Sequence, residues 1–158
     1  MWKRTLLMLA LGAAMAHPAL AQQGAWEAAA DPLTRNDGRP YCHMTYYSED
    51  VGISFAAFPG RDIMLFSTSL EGFGSQIEGT LRLGNFKDYT LTMVDSGGVY
   101  NVNLTSDGMA SVVDVLTIFG DEETRLTVGP ETELIIPPDG AQDAARTMWD
   151  CRAKLPEG

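Results

Sequence analysis

Histidine is nearly absent from this chain of 158 residues, which contains only His17 and His43. A zinc site of the usual kind needs three or four histidine, cysteine or carboxylate ligands, so the sequence predicts neither a metal nor another cofactor. A serine–histidine–aspartate triad would have to use His43, but the chain lacks the G-x-S-x-G motif of a nucleophilic serine. We therefore predict no catalytic residue and interpret His43 as a surface or hydrogen-bonded structural side chain.

Basic residues are scarce as well, because 11 lysines and arginines stand against 21 aspartates and glutamates, a formal charge of −10. Two of the positive charges, Lys3 and Arg4, lie in the leader described next, and removing these two changes −10 to −12. A field of that sign repels nucleic acid and anionic lipid headgroups and attracts cations. We therefore expect a protein partner, for which a cationic protein is one candidate, and no nucleic-acid partner. The interpretation that we favour for the acidity itself is that it keeps the exported protein soluble.

Long hydrophobic runs are missing except at the N-terminus. There, Lys3 and Arg4 precede the apolar stretch Thr5–Met15, and the small residues of Ala19–Ala21 follow it. This order is typical of a secretory signal peptide, which we assign to residues 1–21. The apolar stretch is about half as long as a membrane-spanning helix, and no later segment is long enough to cross a bilayer. The sequence therefore predicts an exported protein, either periplasmic or secreted.

Cysteine is limited to Cys42 and Cys151. An even pair in an exported protein predicts a disulfide bond, which here would join the two ends of the mature chain. By the chain-entropy estimate, a bridge across so long a loop stabilises the folded state by about 4–5 kcal/mol. A catalytic thiol is the alternative, but it would leave the second cysteine without a role.

Turn residues divide the rest of the chain into two parts. Residues 22–40 are rich in alanine, aspartate, glycine and proline and have no apolar period, so we predict an irregular N-terminal segment. Over residues 41–158, short apolar runs alternate with turns, which indicates a single β-rich domain. The clearest pattern is a three-strand antiparallel meander over residues 77–104, with one apolar and one polar face.

Two later segments have helical spacing. Met109–Phe119 has apolar residues at helical intervals, but its β-branched side chains are equally compatible with a strand, so both alternatives stay open. Ala144, Met148, Cys151 and Leu155 mark one face of a C-terminal helix, which the disulfide would join to the first strand. The predicted fold is α+β, mainly antiparallel β, as a sandwich or half-barrel of about seven or eight strands with a short helix and a C-terminal helix.

Exposed aromatic residues are the candidates for a contact surface. We select Tyr46, Tyr47, Phe86 and Tyr89 as candidate binding residues, although positions in the core would explain at least half of them equally well. The tightest acidic runs, at residues 49–50 and 121–123, lack the alternating ligands and the glycine of a calcium loop. We interpret both runs as solvated turns.

The order of the segments also has a counterpart in a known family. Cys42-His43-Met44 opens the strands, the meander and a short helix that ends at Gly120 follow, and Leu126-Thr127-Val128 comes next. This arrangement resembles the invasion-associated locus B family of exported bacterial proteins over about residues 42–128, although the chain lacks that family's additional mid-chain cysteine pair. The resemblance implies a periplasmic or surface β-sandwich-like domain with no assigned catalytic residues.

Three functions are compatible with these features. The leading hypothesis is a non-catalytic binding or accessory protein of the bacterial periplasm or surface, which uses an exposed edge or face of its sheet. The negative charge supports an alternative, an inhibitor of a cationic secreted enzyme such as lysozyme, in which Ser96-Gly97-Gly98 is a faint likeness to the Ser-Gly loop of known inhibitors. A carboxylate-based hydrolase is the third, because two carboxyl groups at a defined separation suffice for glycoside hydrolysis.

Overall fold

The computed structural model describes residues 24–60, 63–67, 70–104 and 121–157, and within them the chain forms ten β-strands and one α-helix. The strands are β1 (Trp26–Ala28), β2 (Leu33–Thr34), β3 (Pro40–Tyr47), β4 (Gly52–Ala57), β5 (Ile63–Ser67), β6 (Gln76–Leu83), β7 (Asp88–Asp95), β8 (Tyr100–Asn103), β9 (Thr124–Val128) and β10 (Thr132–Ile136). The helix, α1, is Ala141–Arg152. The predicted fold class, mainly antiparallel β with a C-terminal helix, is confirmed.

Every strand pair is antiparallel, and the order of the sheet is β1-β3-β4-β5-β8-β7-β6-β9-β10, with β2 paired to the start of β3. The sheet curls until its two outermost strands approach each other. Trp26 in β1 donates its backbone N–H to the oxygen of Asp139 at 2.8 Å and its indole N–H to the oxygen of Pro137 at 3.1 Å. Both acceptors follow β10 directly, so the curled sheet encloses one core.

A period of two along the strands directs one set of side chains into this core. In β7, the side chains of Tyr89, Leu91 and Met93 are buried, whereas the residues between them are exposed. Strand β3 has the same alternation, with Cys42 and Met44 inside. The meander formed by β6, β7 and β8 is therefore present as predicted, with one apolar and one solvated face.

Helix α1 packs against β1 and β3 and buries a stripe of residues that includes Met148 and Cys151. The stripe follows the helical period of 3.6 residues. The helix begins after Gly140, whose φ of 76° favours glycine. A Cβ atom at this position would lie 2.8 Å from the backbone oxygen of Trp26. Glycine is therefore required where the chain passes from β10 to the helix and touches β1.

The predicted disulfide between Cys42 and Cys151 is present, with a Cα–Cα distance of 5.9 Å. It joins β3 to α1 across a sequence separation of 109 residues. Both cysteines are completely buried, as the spacing of the helix stripe predicts for Cys151. The bridge is thus part of the core and connects the N-terminal and C-terminal parts of the domain.

Two predictions about the strands need correction. Residues 22–40 are not irregular throughout, because they contain β1 and β2, which pair with β3. These strands have no apolar period because they run along an edge, where the backbone pairs and Trp26 supplies the buried side chain of β1. With these two strands, the number of strands exceeds the predicted seven or eight.

The segment Met109–Phe119 lies outside the described residues. No helix within the described ranges has the length and apolar character to span a membrane.

Candidate functional site

An open groove of about 670 Å³ lies between the β4–β5 turn and the C-terminal end of α1. Binding sites for small ligands usually enclose about 300–1,000 Å³, so its size is adequate for such a ligand. The residues that line it include Phe58, Trp149, Arg152, Leu155, Pro156 and Glu157. We call this surface the aromatic groove.

One wall of the aromatic groove is the turn that follows β4. Ala57, the last residue of β4, points into the core, so the alternation of the strand places Phe58 on the outside. Pro59 and Gly60 come next, and Gly60 has a φ of 85° that lets the chain reverse direction. The turn therefore holds Phe58 at the rim of the sheet.

The other wall is the last turn of α1 and the residues after it. The backbone N–H of Leu155 donates to the oxygen of Arg152 at 3.1 Å, so the chain folds back at the end of the helix. Leu155 also packs against the core. The ammonium group of Lys154 donates to Asp31 at 2.7 Å and thereby connects this wall to the N-terminal part of the chain. The core contact of Leu155 and the ion pair of Lys154 therefore fix the position of this wall.

The disulfide joins α1 to β3, the strand that pairs with β4 next to the first wall. Cys42 lies between Tyr41 and His43 in β3, and Cys151 directly precedes Arg152 in α1. Disulfide geometry permits only a narrow range of distances between the two backbones. The bridge therefore fixes the spacing between strand and helix beside the groove.

Aromatic rings extend from the aromatic groove along β3. Phe58 stacks on Tyr41 with a centroid distance of 6.0 Å and an interplanar angle of 23°, and Tyr41 contacts His43 at 5.6 Å. On the opposite wall, the side chain of Trp149 is 45% exposed. A smaller depression of about 360 Å³ adjoins Tyr41 and includes Arg35. Rings in a concave surface are the features with which proteins contact flat or apolar ligands.

Two guanidinium groups lie over these rings. The central carbon of Arg152 is 5.2 Å from the centroid of Trp149, and that of Arg35 is 5.5 Å from the centroid of Phe58. Exposed contacts of this type contribute about 0.5–1 kcal/mol each. The contacts therefore orient the guanidinium groups more than they stabilise the fold.

The two arginines differ in their ion pairs. Arg35 lies 3.7 Å from a carboxylate oxygen of Asp37, and Arg39 donates to the same carboxylate. The hydrogen bond from Arg39 lowers the pKa of Asp37 below its ordinary value. Arg152 makes no ion pair with any described carboxylate. The other described arginines all make one: Arg35, Arg39, Arg82, Arg125 and Arg146.

The aromatic groove offers a ligand apolar contacts and two charged side chains. Its described lining residues contain one cation, Arg152, and one anion, Glu157, but no serine, threonine, cysteine or histidine. His43 lies outside the lining, and burial lowers its pKa, so its ring is uncharged at pH 7. The ranges that the structure describes contain no group of three or more histidines, cysteines or carboxylates that could hold a metal ion. Such a site can bind and orient a ligand.

The structure separates the four candidate binding residues instead of bringing them together. Tyr46 and Tyr89 are only 5% and 6% exposed, because they share the inward parity of β3 and β7, so both side chains belong to the core. Tyr47 and Phe86 are exposed. Tyr47 pairs with Gly52 at one end of the strands, whereas Phe86 lies in the β6–β7 turn at the other end. These two side chains form no common surface.

The residues that do line the aromatic groove were missed by sequence reasoning. Phe58 directly follows the apolar strand β4, and Arg152 is one of several arginines in the chain, so neither residue stands out in the sequence. Trp149 had a signal of its own, because it lies off the buried stripe of α1 that contains Met148 and Cys151. A tryptophan on the solvated side of an amphipathic helix has no role in the core, and this is the signal that points to a contact.

Comparisons with family models, with curated proteins and with solved structures find no match to this chain. The resemblance to the invasion-associated locus B family therefore stays a prediction.

Proposed function

We propose that the protein is a non-catalytic, exported binding protein of the bacterial periplasm or surface and that its ligand occupies the aromatic groove. The observation behind this proposal is the groove itself, in which Phe58 and Trp149 face a volume of about 670 Å³. Its walls are distant in the sequence, and the disulfide of Cys42 and Cys151 links α1 to β3, the strand that pairs with β4 beside the other wall. A site of this construction is rigid before the ligand arrives, which reduces the entropic cost of binding.

The proposed location rests on the leader and the disulfide. Residues 1–21 have the layout of a signal peptide. A completely buried disulfide is compatible with an oxidising compartment such as the bacterial periplasm. When the chain is expressed in a bacterium and isolated from its periplasm, we expect its measured mass to be that of a polypeptide whose first residue is Gln22.

The hydrolase alternative receives less support from the same structure. Glu123 and Glu133 both accept hydrogen bonds from Arg125, which ties them up as ion-pair partners on an exposed face. This pair of carboxylates is therefore suited to stabilising the sheet.

The inhibitor alternative depends on the loop at Ser96-Gly97-Gly98. This loop is a tight turn between β7 and β8, in which the N–H of Gly98 donates to the carboxylate of Asp95 at 2.8 Å. Its side chains are exposed, and it lies at the end of the strands away from the aromatic groove. The groove, with its rings and its volume, is the better developed surface, so we favour a ligand there.

The proposal is tested with 8-anilinonaphthalene-1-sulfonate, a dye whose fluorescence rises when it binds apolar surface. We expect saturable binding to the periplasmic protein, weakened about fivefold or more by Trp149→Ala and by Phe58→Ala. Phe86→Ala is the matched control, because Phe86 and Trp149 are both 45% exposed but only Trp149 lines the groove. Binding that is absent, or that Phe86→Ala weakens as much as Trp149→Ala, would contradict the proposal.

A further inference from the structure

We propose that the ligand of the aromatic groove carries a carboxylate attached to an apolar or aromatic group, and that Arg152 binds this carboxylate. This inference rests on the proposed function, since it specifies the ligand of the same groove. Two sources share the chemistry, namely a small aromatic acid and the C-terminus of a peptide.

The first argument is the missing ion pair of Arg152. Acidic residues outnumber basic ones in this chain by 21 to 11, so an exposed arginine meets a carboxylate easily. Five described arginines do so, at N–O separations up to 3.7 Å. Arg152, which lines the groove, has no described carboxylate as a partner. Among the described residues, no carboxylate therefore competes with one that comes from outside.

The second argument is the orientation of the guanidinium group. Its central carbon lies 5.2 Å from the ring centroid of Trp149, and a guanidinium held over a ring keeps the N–H groups at its edge available for hydrogen bonds. A carboxylate accepts two of these in parallel, which is the strongest geometry for this pair. Because the ring already restricts the long side chain, less rotamer freedom is lost when the ligand binds.

The third argument is the apolar surroundings of that charge. Phe58, Trp149 and Leu155 line the same groove, and apolar surface next to a charged hydrogen bond excludes water and strengthens it. A ligand that was only charged would leave these side chains unused. A ligand that was only apolar would leave the guanidinium unpaired. The combination favours a molecule with both groups.

A structural role for Arg152 is the competing explanation. The residue lies in the last turn of α1, where a positive charge interacts favourably with the helix dipole. A lysine would serve that purpose equally, but it cannot form the two parallel hydrogen bonds of a guanidinium. Arg152→Lys therefore separates the two roles, because it keeps the positive charge at the helix end but removes the guanidinium group that forms two parallel hydrogen bonds. Arg146→Lys, in the same helix but paired with Asp143, is the matched control.

The experiment compares N-acetylphenylalanine with its amide by isothermal titration of the periplasmic protein. We expect the carboxylate to bind at least about tenfold more tightly than the amide. Arg152→Lys should reduce that preference to about twofold, whereas Arg146→Lys should leave it unchanged. Thermal unfolding and circular dichroism of both variants show whether the fold is retained. Glu157→Gln should strengthen binding of the carboxylate slightly, since it removes a like charge from the groove.

Each result decides between the two proposals. Equal binding of acid and amide, both weakened by Trp149→Ala, would overturn the inference and leave the binding function intact. A preference for the acid that Arg152→Lys does not change would overturn it as well. If neither probe binds, the inference is wrong, and the proposed function then depends on the dye experiment. Short peptides that end in phenylalanine identify the source. If the natural ligand is a peptide C-terminus, the peptide with a free C-terminus binds and the amidated peptide does not. If it is a small acid, neither peptide binds.

Discussion

The outer surfaces of the two halves of the sheet differ, although both halves bury the same alternating pattern on the inside. On β6, β7 and β9, Thr80 faces Thr90 on one neighbour and Thr127 on the other. In the next row, Arg82 donates to Asp88 at 2.8 Å. On β3, β4 and α1, the outside instead presents stacked rings and an arginine without a described ion pair. We call the first surface the polar face, to set it against the aromatic groove.

The difference indicates where a ligand can gain binding energy. On the polar face, Arg82 and Arg125 already have carboxylate partners, so a ligand that used either arginine would have to replace existing ion pairs. At the aromatic groove, the rings of Phe58 and Trp149 and the donors of Arg152 can form new contacts without breaking ion pairs among the described residues. A conventional solvated surface and the proposed binding surface thus differ in the partners that their charged groups already have.

The halves also differ in how they are held together. The hairpin of β6 and β7 in the polar face is joined by a short turn, and β9 adds to it by strand pairing along β6. The region of the aromatic groove depends on contacts between distant parts of the chain. These have sequence separations of 109, 111 and 123 residues for the disulfide, the Trp26–Pro137 hydrogen bond and the Lys154–Asp31 ion pair. Loss of one such contact should therefore affect the groove first.

Removing the disulfide should have the largest effect. The double substitution Cys42→Ala and Cys151→Ala should lower the free energy of unfolding by about 4–5 kcal/mol, because the unfolded chain regains the freedom of the long loop. Urea unfolding measures this loss. Hydrogen exchange should show faster exchange in β3 and α1 than in β6 and β7, since the bridge joins β3 to α1.

The comparison of halves would be wrong if exchange increased equally in all strands. The same double variant should also lose binding of the dye at urea concentrations where β6 and β7 are still protected. Dye binding that persists until the whole domain unfolds would show that the groove does not depend on the bridge.

Two tryptophans provide a second test, of intermediate size. Trp26 is 4% exposed and donates its indole N–H to Pro137, so Trp26→Phe removes the donor of a partly buried carbonyl, reduces a buried side chain, and should cost about 1–3 kcal/mol of unfolding free energy. Trp149→Phe, at a side chain that is 45% exposed, should change it by less than about 0.5 kcal/mol. Chemical denaturation of both variants checks the ranking. Equal losses would mean that Trp149 stabilises the fold and is not reserved for a ligand.

The half of the sheet that the sequence predicts well is the half with the polar face, where β6 and β7 are neighbours in the sequence. The alternation of Tyr89, Leu91 and Met93 is complete within one strand, and its hairpin partner follows in the chain, so pattern and pairing agree without tertiary information. The disulfide was predictable because only two cysteines exist. The parity of β3 would also have assigned Tyr46 to the core, since it shares a face with Cys42, which the bridge requires to be inside.

The aromatic groove could not be predicted in the same way. Phe58 and Trp149 lie far apart in the sequence, and they line one groove because β4 pairs with β3, which the buried bridge joins to α1. Edge strands such as β1 carry little sequence pattern, since their pairing is made by backbone groups that every residue has. The exposed ring of Trp149 was a signal, but it did not identify its neighbours.

The smallest expected effect concerns pH and compares one titratable group from each half. Burial lowers the pKa of His43 in the folded state, so the unfolded chain binds a proton more readily, and stability falls as the pH drops from about 6.5 toward the folded pKa. The hydrogen bond from Arg82 lowers the pKa of Asp88, so that pair stabilises the fold above about pH 3.8 and is lost in stronger acid.

The difference in stability between each variant and the unchanged protein, followed with pH, separates the contributions of His43 and Asp88 from those of all other titratable groups. His43→Gln should become relatively more stable as the pH falls below about 6.5, whereas Asp88→Asn should lose its small relative disadvantage only below about pH 3.8. Thermal unfolding from pH 7.5 to pH 2.5 measures both. High salt should reduce the Asp88 effect, because this ion pair is exposed, and should leave the His43 effect nearly unchanged, because burial causes it. If the two difference curves changed in the same pH range, the halves would not be electrostatically distinct.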